Sequence, residues 1–162
     1  NRITDDDGYA SKYPDIVVRD DKAALTWFDN LFGNNEIYLA VRSIDDLLSP
    51  RLMDRFEFGA TRVSNGEGDS IGAYLAWNGD FLCLAWSDNS SGQHEIYFQQ
   101  FSIAGNSISR IQRLTTTVAD SLIPSIEVLD SGFVMAWNEV HINAHGSDEN
   151  LSRSEIAVSR VQ

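Results

Sequence analysis

The chain is 162 residues long, 43% apolar with four tryptophans, and carries a formal charge of −12. That length and apolar fraction suit a packed domain rather than a disordered segment, and the acidic balance excludes binding to a phosphate backbone, which needs clustered Lys and Arg. No apolar run approaches the roughly 20 residues of a membrane-spanning helix, and Cys83 stands alone, so no intrachain disulfide can form.

Taken in chain order, one phrase is written three times. Each copy follows an Arg-aliphatic-hydroxyl triplet: Arg2-Ile3-Thr4, Arg62-Val63-Ser64 and Arg113-Leu114-Thr115. A polar stretch then leads to Ser11, Ser70 and Ser121, each followed three residues later by Pro14, Ala73 or Pro124. First strands are predicted over 15–18, 74–77 and 125–128. Tight turns follow at Asp20-Asp21, Asn78-Gly79-Asp80 and Asp130-Ser131-Gly132, of which Asn-Gly is the strongest short hairpin signal.

Second strands end in a tryptophan, over 23–27, 81–86 and 133–137, and an acid follows two residues later: Asp29, Asp88 or Glu139. Third strands open on a glutamate, over 36–41, 95–101 and 155–161. Fourth strands, over 56–63 and 108–114, run into the next triplet, and a short helical turn fits within 44–58. Four antiparallel strands in a period of roughly 40–50 residues read as a β-propeller blade. The expected fold is therefore all-β: three four-stranded antiparallel blades, with repeats over 5–64, 65–115 and 116–162 and residues 1–4 ending a preceding fourth strand.

The combined pattern of the Arg triplet, Ser-x-x-Pro-x-Ile, Trp-x-Asp and Gly-x-x-Glu-Ile-Tyr resembles the blades of TolB-like propellers. That resemblance implies an exported protein. The chain departs from it at Ala73, at Glu139 and in an insertion over 140–153. Three blades do not close a ring, since propellers typically have about four to eight. A fragment of a longer propeller, or a half-ring completed by a second copy, is therefore expected. The chain opens on Asn1 rather than Met, which reads as a processed or excised piece.

The recurring Glu and Arg predict cross-strand pairs Glu36–Arg62 and Glu95–Arg113, worth about 0.2–1 kcal/mol if exposed. Arg2 would reach Glu155 of another copy. Trp27, Trp86 and Trp137 are read as inter-blade core, Trp77 as lining the central channel, and Cys83 as a small core residue. Asp5-Asp6-Asp7-Gly8 lacks the alternating ligands and distal Glu of a calcium loop. His141 and His145 have His-x-x-x-His spacing, but an inserted loop does not fix the geometry zinc requires. No metal site and no cofactor are expected, with calcium the one ion an acidic face would attract.

No nucleophile elbow or phosphate-cradling glycine loop is present. Loops expected on one face hold eleven acids, among them Asp29, Asp88 and Glu139, against Lys12 and Arg153. The sequence thus reads as a non-catalytic binding module that recognises a protein through this face, with Asp29, Asp88, Glu139, His141 and His145 as binding candidates. The partner is a protein, or a second copy completing the ring. Two alternatives stand beside it: a carbohydrate-binding propeller, requiring exposed loop aromatics from among Tyr9, Tyr13 and Phe32, and the propeller part of a larger hydrolase.

Overall fold

The computed structural model describes residues 3–4, 6–48, 59–141 and 153–161. They form three antiparallel sheets with almost no helix. The first contains β1 (Ser11–Arg19), β2 (Lys22–Asp29), β3 (Glu36–Ser43) and β4 (Thr61–Arg62), with α1 (Ile44–Leu48) after β3. The second contains β5 (Ser70–Asn78), β6 (Phe81–Asp88), β7 (Glu95–Ser102) and β8 (Gln112–Arg113). The third contains β9 (Asp120–Val128), β10 (Phe133–His141) and β11 (Arg153–Val161). Each sheet is a meander in chain order, the blade topology that the repeat implies.

Fourth strands are read only over 56–63 and 108–114, and the third blade accordingly has three strands among the described residues, with β11 at its edge. Two details differ from the sequence reading. The fourth strands are two-residue ladders. Tyr38 pairs with Arg62 and Tyr97 with Arg113, while Ser107 makes a separate bridge to Phe101. The first strands begin four or five residues early, at Ser11, Ser70 and Asp120, because Ser11 pairs with Asp29, Ser70 with Asp88 and Asp120 with Val140. The region 49–58 lies outside the described residues.

The blades stack face to face. β5 lies against both β1 and β9, so the three first strands run side by side along the axis. Residues alternate across each strand, so one face of blade 2 meets blade 1 and the other meets blade 3. Between blades 1 and 2 lie Phe28, Ile37 and Leu39 against Leu75, Leu84 and Trp86. Between blades 2 and 3 lie Cys83, Ile96 and Phe98 against Ile126, Phe133 and Met135. Burial on both faces explains why β2 and β6 read as nearly continuous apolar runs.

Trp27 and Trp86 are core residues, stacked on Tyr38 and Tyr97 with ring centroids 5.9 and 6.0 Å apart. Trp137 is half-buried against the second layer. Trp77 does not line a channel: it packs into the layer between blades 1 and 2. Cys83 is fully buried, and that burial pushes its thiol up to about 12, partly offset by a hydrogen bond with Gln100.

Candidate functional site

Much of the repeated phrase is explained by hydrogen bonds that recur from blade to blade. Glu36 and Glu95 are buried at the starts of β3 and β7. Arg62 Nη2 donates to Glu36 Oε1 at 2.6 Å, and Arg113 Nη2 donates to Glu95 Oε1 at the same distance. The other carboxylate oxygen accepts from the hydroxyl two residues after the arginine, Ser64 or Thr115. That hydroxyl oxygen in turn accepts from Ile37 N or Ile96 N at 2.8 Å. The predicted pairs are thus half-buried clamps, in which a fully desolvated carboxylate holds the short fourth strand that two ladder pairs alone would not secure.

Asp29 and Asp88 occupy corresponding positions at the ends of β2 and β6. Asp29 accepts from Ser11 Oγ and from Leu31 N, and Asp88 accepts from Ser70 Oγ at 2.7 Å and from Ser90 N at 2.8 Å. Both carboxylates are buried. They close the turn while tying the first strand to the second. Asp69 accepts from Asn35 N, and Asp120 from His94 N, both at 2.8 Å, so these acids link successive blades. Several acids counted toward a charged face are therefore spent inside the fold.

Glu139 departs from this pattern. It sits in β10 opposite Ser121 and Glu155, and the buried Ser121 Oγ has no partner among the described residues. The extra methylene of Glu disrupts the clamp that Asp makes in the other two blades. His141 is the last residue of β10, paired with Arg153 across the ladder, rather than part of a loop. His145 lies outside the described residues. Among the described residues no three His, Cys, Asp or Glu side chains converge as metal ligands would.

The structure draws attention instead to a recurring backbone feature that the sequence reading did not anticipate, and it includes Tyr13, named there only as an exposed aromatic. Tyr13, Gly72 and Ile123 occupy the same place in β1, β5 and β9, two residues after the repeated serine. All three have positive φ: 52°, 60° and 53°. A register shift falls at each of them, so a β-bulge recurs at the same height in every first strand. Gly accepts this conformation freely. A β-branched Ile there is strained by about 1–2 kcal/mol. Ile123 N is held by Ser87 Oγ of the preceding blade at 2.8 Å.

The bulges of blades 1 to 3 meet in a hollow of about 170 Å³ lined by Tyr13, Phe28, Ile71, Gly72, Tyr74 and Ile123. Tyr13 lies nearly parallel on Phe28, with centroids 5.4 Å apart and planes 20° apart, and remains 66% exposed. A tyrosine held flat from beneath and open above is an apolar platform with a polar rim. Tyr9 and Phe32 are also exposed, and Phe32 carries the Arg62 guanidinium 5.0 Å from its ring centre. A larger hollow of about 240 Å³, lined by Ile3, Pro14, Leu25 and Trp27 among others, lies on the outer face of blade 1 and belongs to blade packing.

No family model matches the chain, and no curated protein matches it. Among solved structures, an endo-1,4-β-xylanase from Bacteroides thetaiotaomicron VPI-5482 is similar over 94% of this chain, with TM-score 0.51 and 14% identity. This chain spans 61% of that protein's length. A GH43 endo-arabinanase from Bacillus licheniformis matches over 93% of this chain and 73% of its own at 13% identity, but its TM-score of 0.34 carries no argument. The likeness supports a propeller-like fold and not the TolB-like family in particular. It also corrects the reading of the chain as non-catalytic. The structure that shares this fold is an enzyme's, so the missing nucleophile motif is no ground for excluding an enzyme.

Proposed function

We propose that this chain is a three-blade part of a glycoside-hydrolase propeller and supplies a saccharide-contacting surface at the mouth of the axis. The observation that carries this reading is the Tyr13 platform, stacked on Phe28 and flanked by Tyr74 and Ile123. A pyranose or furanose presents C–H groups on its faces and hydroxyls around its edge, and a flat tyrosine supports that amphipathic shape. A hollow of about 170 Å³ has the liquid volume of about five or six waters. That is a seat for one sugar ring of a longer glycan rather than an enclosed small-molecule pocket.

The fold likeness to the xylanase gives this reading its reaction class. Glycosidic hydrolysis needs two carboxylates flanking the scissile bond. Asp29, Asp69, Asp88 and Asp120 are committed to hydroxyls and backbone N–H groups, and Asp15 accepts from Leu75 N at 2.9 Å. We therefore assign these five residues to building the site. The exposed aromatics meet the requirement stated for a carbohydrate-binding propeller, and this favours a glycan over a protein ligand.

The test is a titration of the chain with xylo- and arabino-oligosaccharides, followed by intrinsic fluorescence. Saturable binding that Tyr13→Ala reduces at least about tenfold is expected, about 1.4 kcal/mol in the stacking of one ring. Absence of saturable binding by either series, or equal binding by Tyr13→Ala, contradicts the proposal.

A further inference from the structure

The second strand of each blade carries its tryptophan directly opposite a third-strand residue: Trp27 pairs with Tyr38, Trp86 with Tyr97 and Trp137 with Ala157. In blades 1 and 2 the tyrosine ring lies nearly parallel to the indole, with planes 12° and 24° apart. Trp137 has no ring stacked on it among the described residues.

Two further exchanges fall on the same face. Side chains alternate along a strand, so Ala157, Ser159 and Val161 of β11 stand where Tyr97, Gln99 and Phe101 stand in β7. Tyr97 and Phe101 pack into the layer between blades 1 and 2, whereas Val161 only borders the layer between blades 2 and 3. The third strand of blade 2 thus turns two rings toward blade 1, and the third strand of blade 3 turns none toward blade 2.

The missing bulk leaves a cavity of about 260 Å³, lined by Ile96 and Leu114 from blade 2 and by Met135, Trp137, Ser159 and Val161 from blade 3. Protein interiors hold few voids larger than a water, and an apolar cavity of ~150 Å³ already takes up benzene. The walls are apolar apart from Ser159, which is exposed and sets a polar mouth, and the indole N–H of Trp137, which is buried without an acceptor among the described residues. The cavity arises from side-chain size within the layer and does not depend on what pairs along β11.

We propose that this cavity is a binding site for a small phenol, one aromatic ring carrying a hydroxyl. The ring lies on Trp137 as Tyr38 and Tyr97 lie on Trp27 and Trp86, and the hydroxyl faces Ser159 and solvent at the mouth. Blades 1 and 2 show the chemistry that this position accepts. An aliphatic ligand would fill the walls but would not meet the indole face, where an offset-stacked ring is favoured. A sugar would leave hydroxyls facing Ile96, Leu114, Met135 and Val161 without partners. The bound ring touches both blades, so occupancy stabilises their contact. The inference does not rest on the saccharide reading.

The probe is p-cresol, the tyrosine side chain as a free molecule, titrated into the whole methyl-labelled chain. The expected result is saturable shifts of the Ile96, Leu114 and Met135 methyls at millimolar p-cresol. The saturated analogue 4-methylcyclohexanol, which cannot stack, should bind at least about threefold more weakly. Ala157→Tyr puts the chain's own ring on Trp137, and it should weaken p-cresol binding at least about tenfold by filling the cavity. Val161→Phe fills the other end and should weaken binding likewise, which keeps the test intact where Ala157→Tyr does not fold. No shifts of these methyls at millimolar p-cresol, equal binding of the saturated analogue, or undiminished binding by the folded filled variants would overturn the assignment. Tyr13→Ala should leave these shifts unchanged, so failure here and failure of the glycan reading are separable.

Discussion

Arg113 donates to the fully buried Glu95 at 2.6 Å while its own side chain stays 36% exposed. The pair is therefore asymmetric: the carboxylate has given up water and the guanidinium has not. Removing the arginine strands a buried charge, whereas removing both charges does not. Arg113→Met is expected to destabilise the chain by about 2–4 kcal/mol, discounted for the exposed partner. Adding Glu95→Gln should recover part of that loss, and urea unfolding of the two single variants and the double gives the coupling. An Arg113→Met loss below about 0.5 kcal/mol would contradict the clamp.

Glu139 and Ser121 offer the converse experiment. In blades 1 and 2 an Asp closes onto the serine, and in blade 3 the serine hydroxyl is buried without a partner among the described residues. Glu139→Asp is expected to restore the bond and stabilise the chain by about 1 kcal/mol. Glu139→Asp with Ser121→Ala should show no such gain. Thermal unfolding of the single and the double variant checks this.

Ile123 holds a left-handed conformation that glycine holds at the matching place in blade 2. Ile123→Gly is expected to raise stability by roughly 1 kcal/mol through relief of strain, since the side chain is half-exposed and contributes little burial. The same change should weaken oligosaccharide binding, because it removes one wall of the hollow. A variant that loses stability and binds sugars normally would refute both halves of this argument.

Cys83 gives a pH signature. Its thiol is pushed up to about 12 by burial, while the unfolded thiol titrates near 8.5. Between those values the unfolded chain has lost a proton that the folded chain keeps, so stability falls as pH rises. The slope is expected to be about 1.4 kcal/mol per pH unit steeper than in Cys83→Ala above about pH 9. Urea unfolding at pH 8, 9 and 10 measures it, and parallel slopes for the two proteins would count against full burial.

The sequence disclosed the blade repeat because strand, turn and clamp residues recur at fixed spacing. The pairing of Glu36 with Arg62 followed from that spacing alone. Its burial did not, since a lone strand does not reveal that both its faces are covered. Tyr13 was named as an exposed aromatic, but the bulge that makes it a platform stayed hidden for a different reason. The residues at that place are Tyr, Gly and Ile, which share no chemistry, and what they share is a backbone angle. The Ser-x-x-Pro signature marked the spot without showing its conformation. Asp29 and Asp88 were read as ligand contacts from charge, whereas the nearby hydroxyls and N–H groups that hold them become visible only once the strands pair.

The most direct test of the glycan reading is a methyl-labelled NMR titration of the chain with a xylo-oligosaccharide. Ile71 and Ile123 line the hollow, whereas Ile156 lies on the outer face of blade 3. The account expects saturable shifts of the Ile71 and Ile123 methyls with Ile156 unmoved, and a midpoint at least about tenfold higher in Tyr13→Ala. Shifts that leave Ile71 and Ile123 untouched, or a midpoint unchanged in Tyr13→Ala, would contradict it.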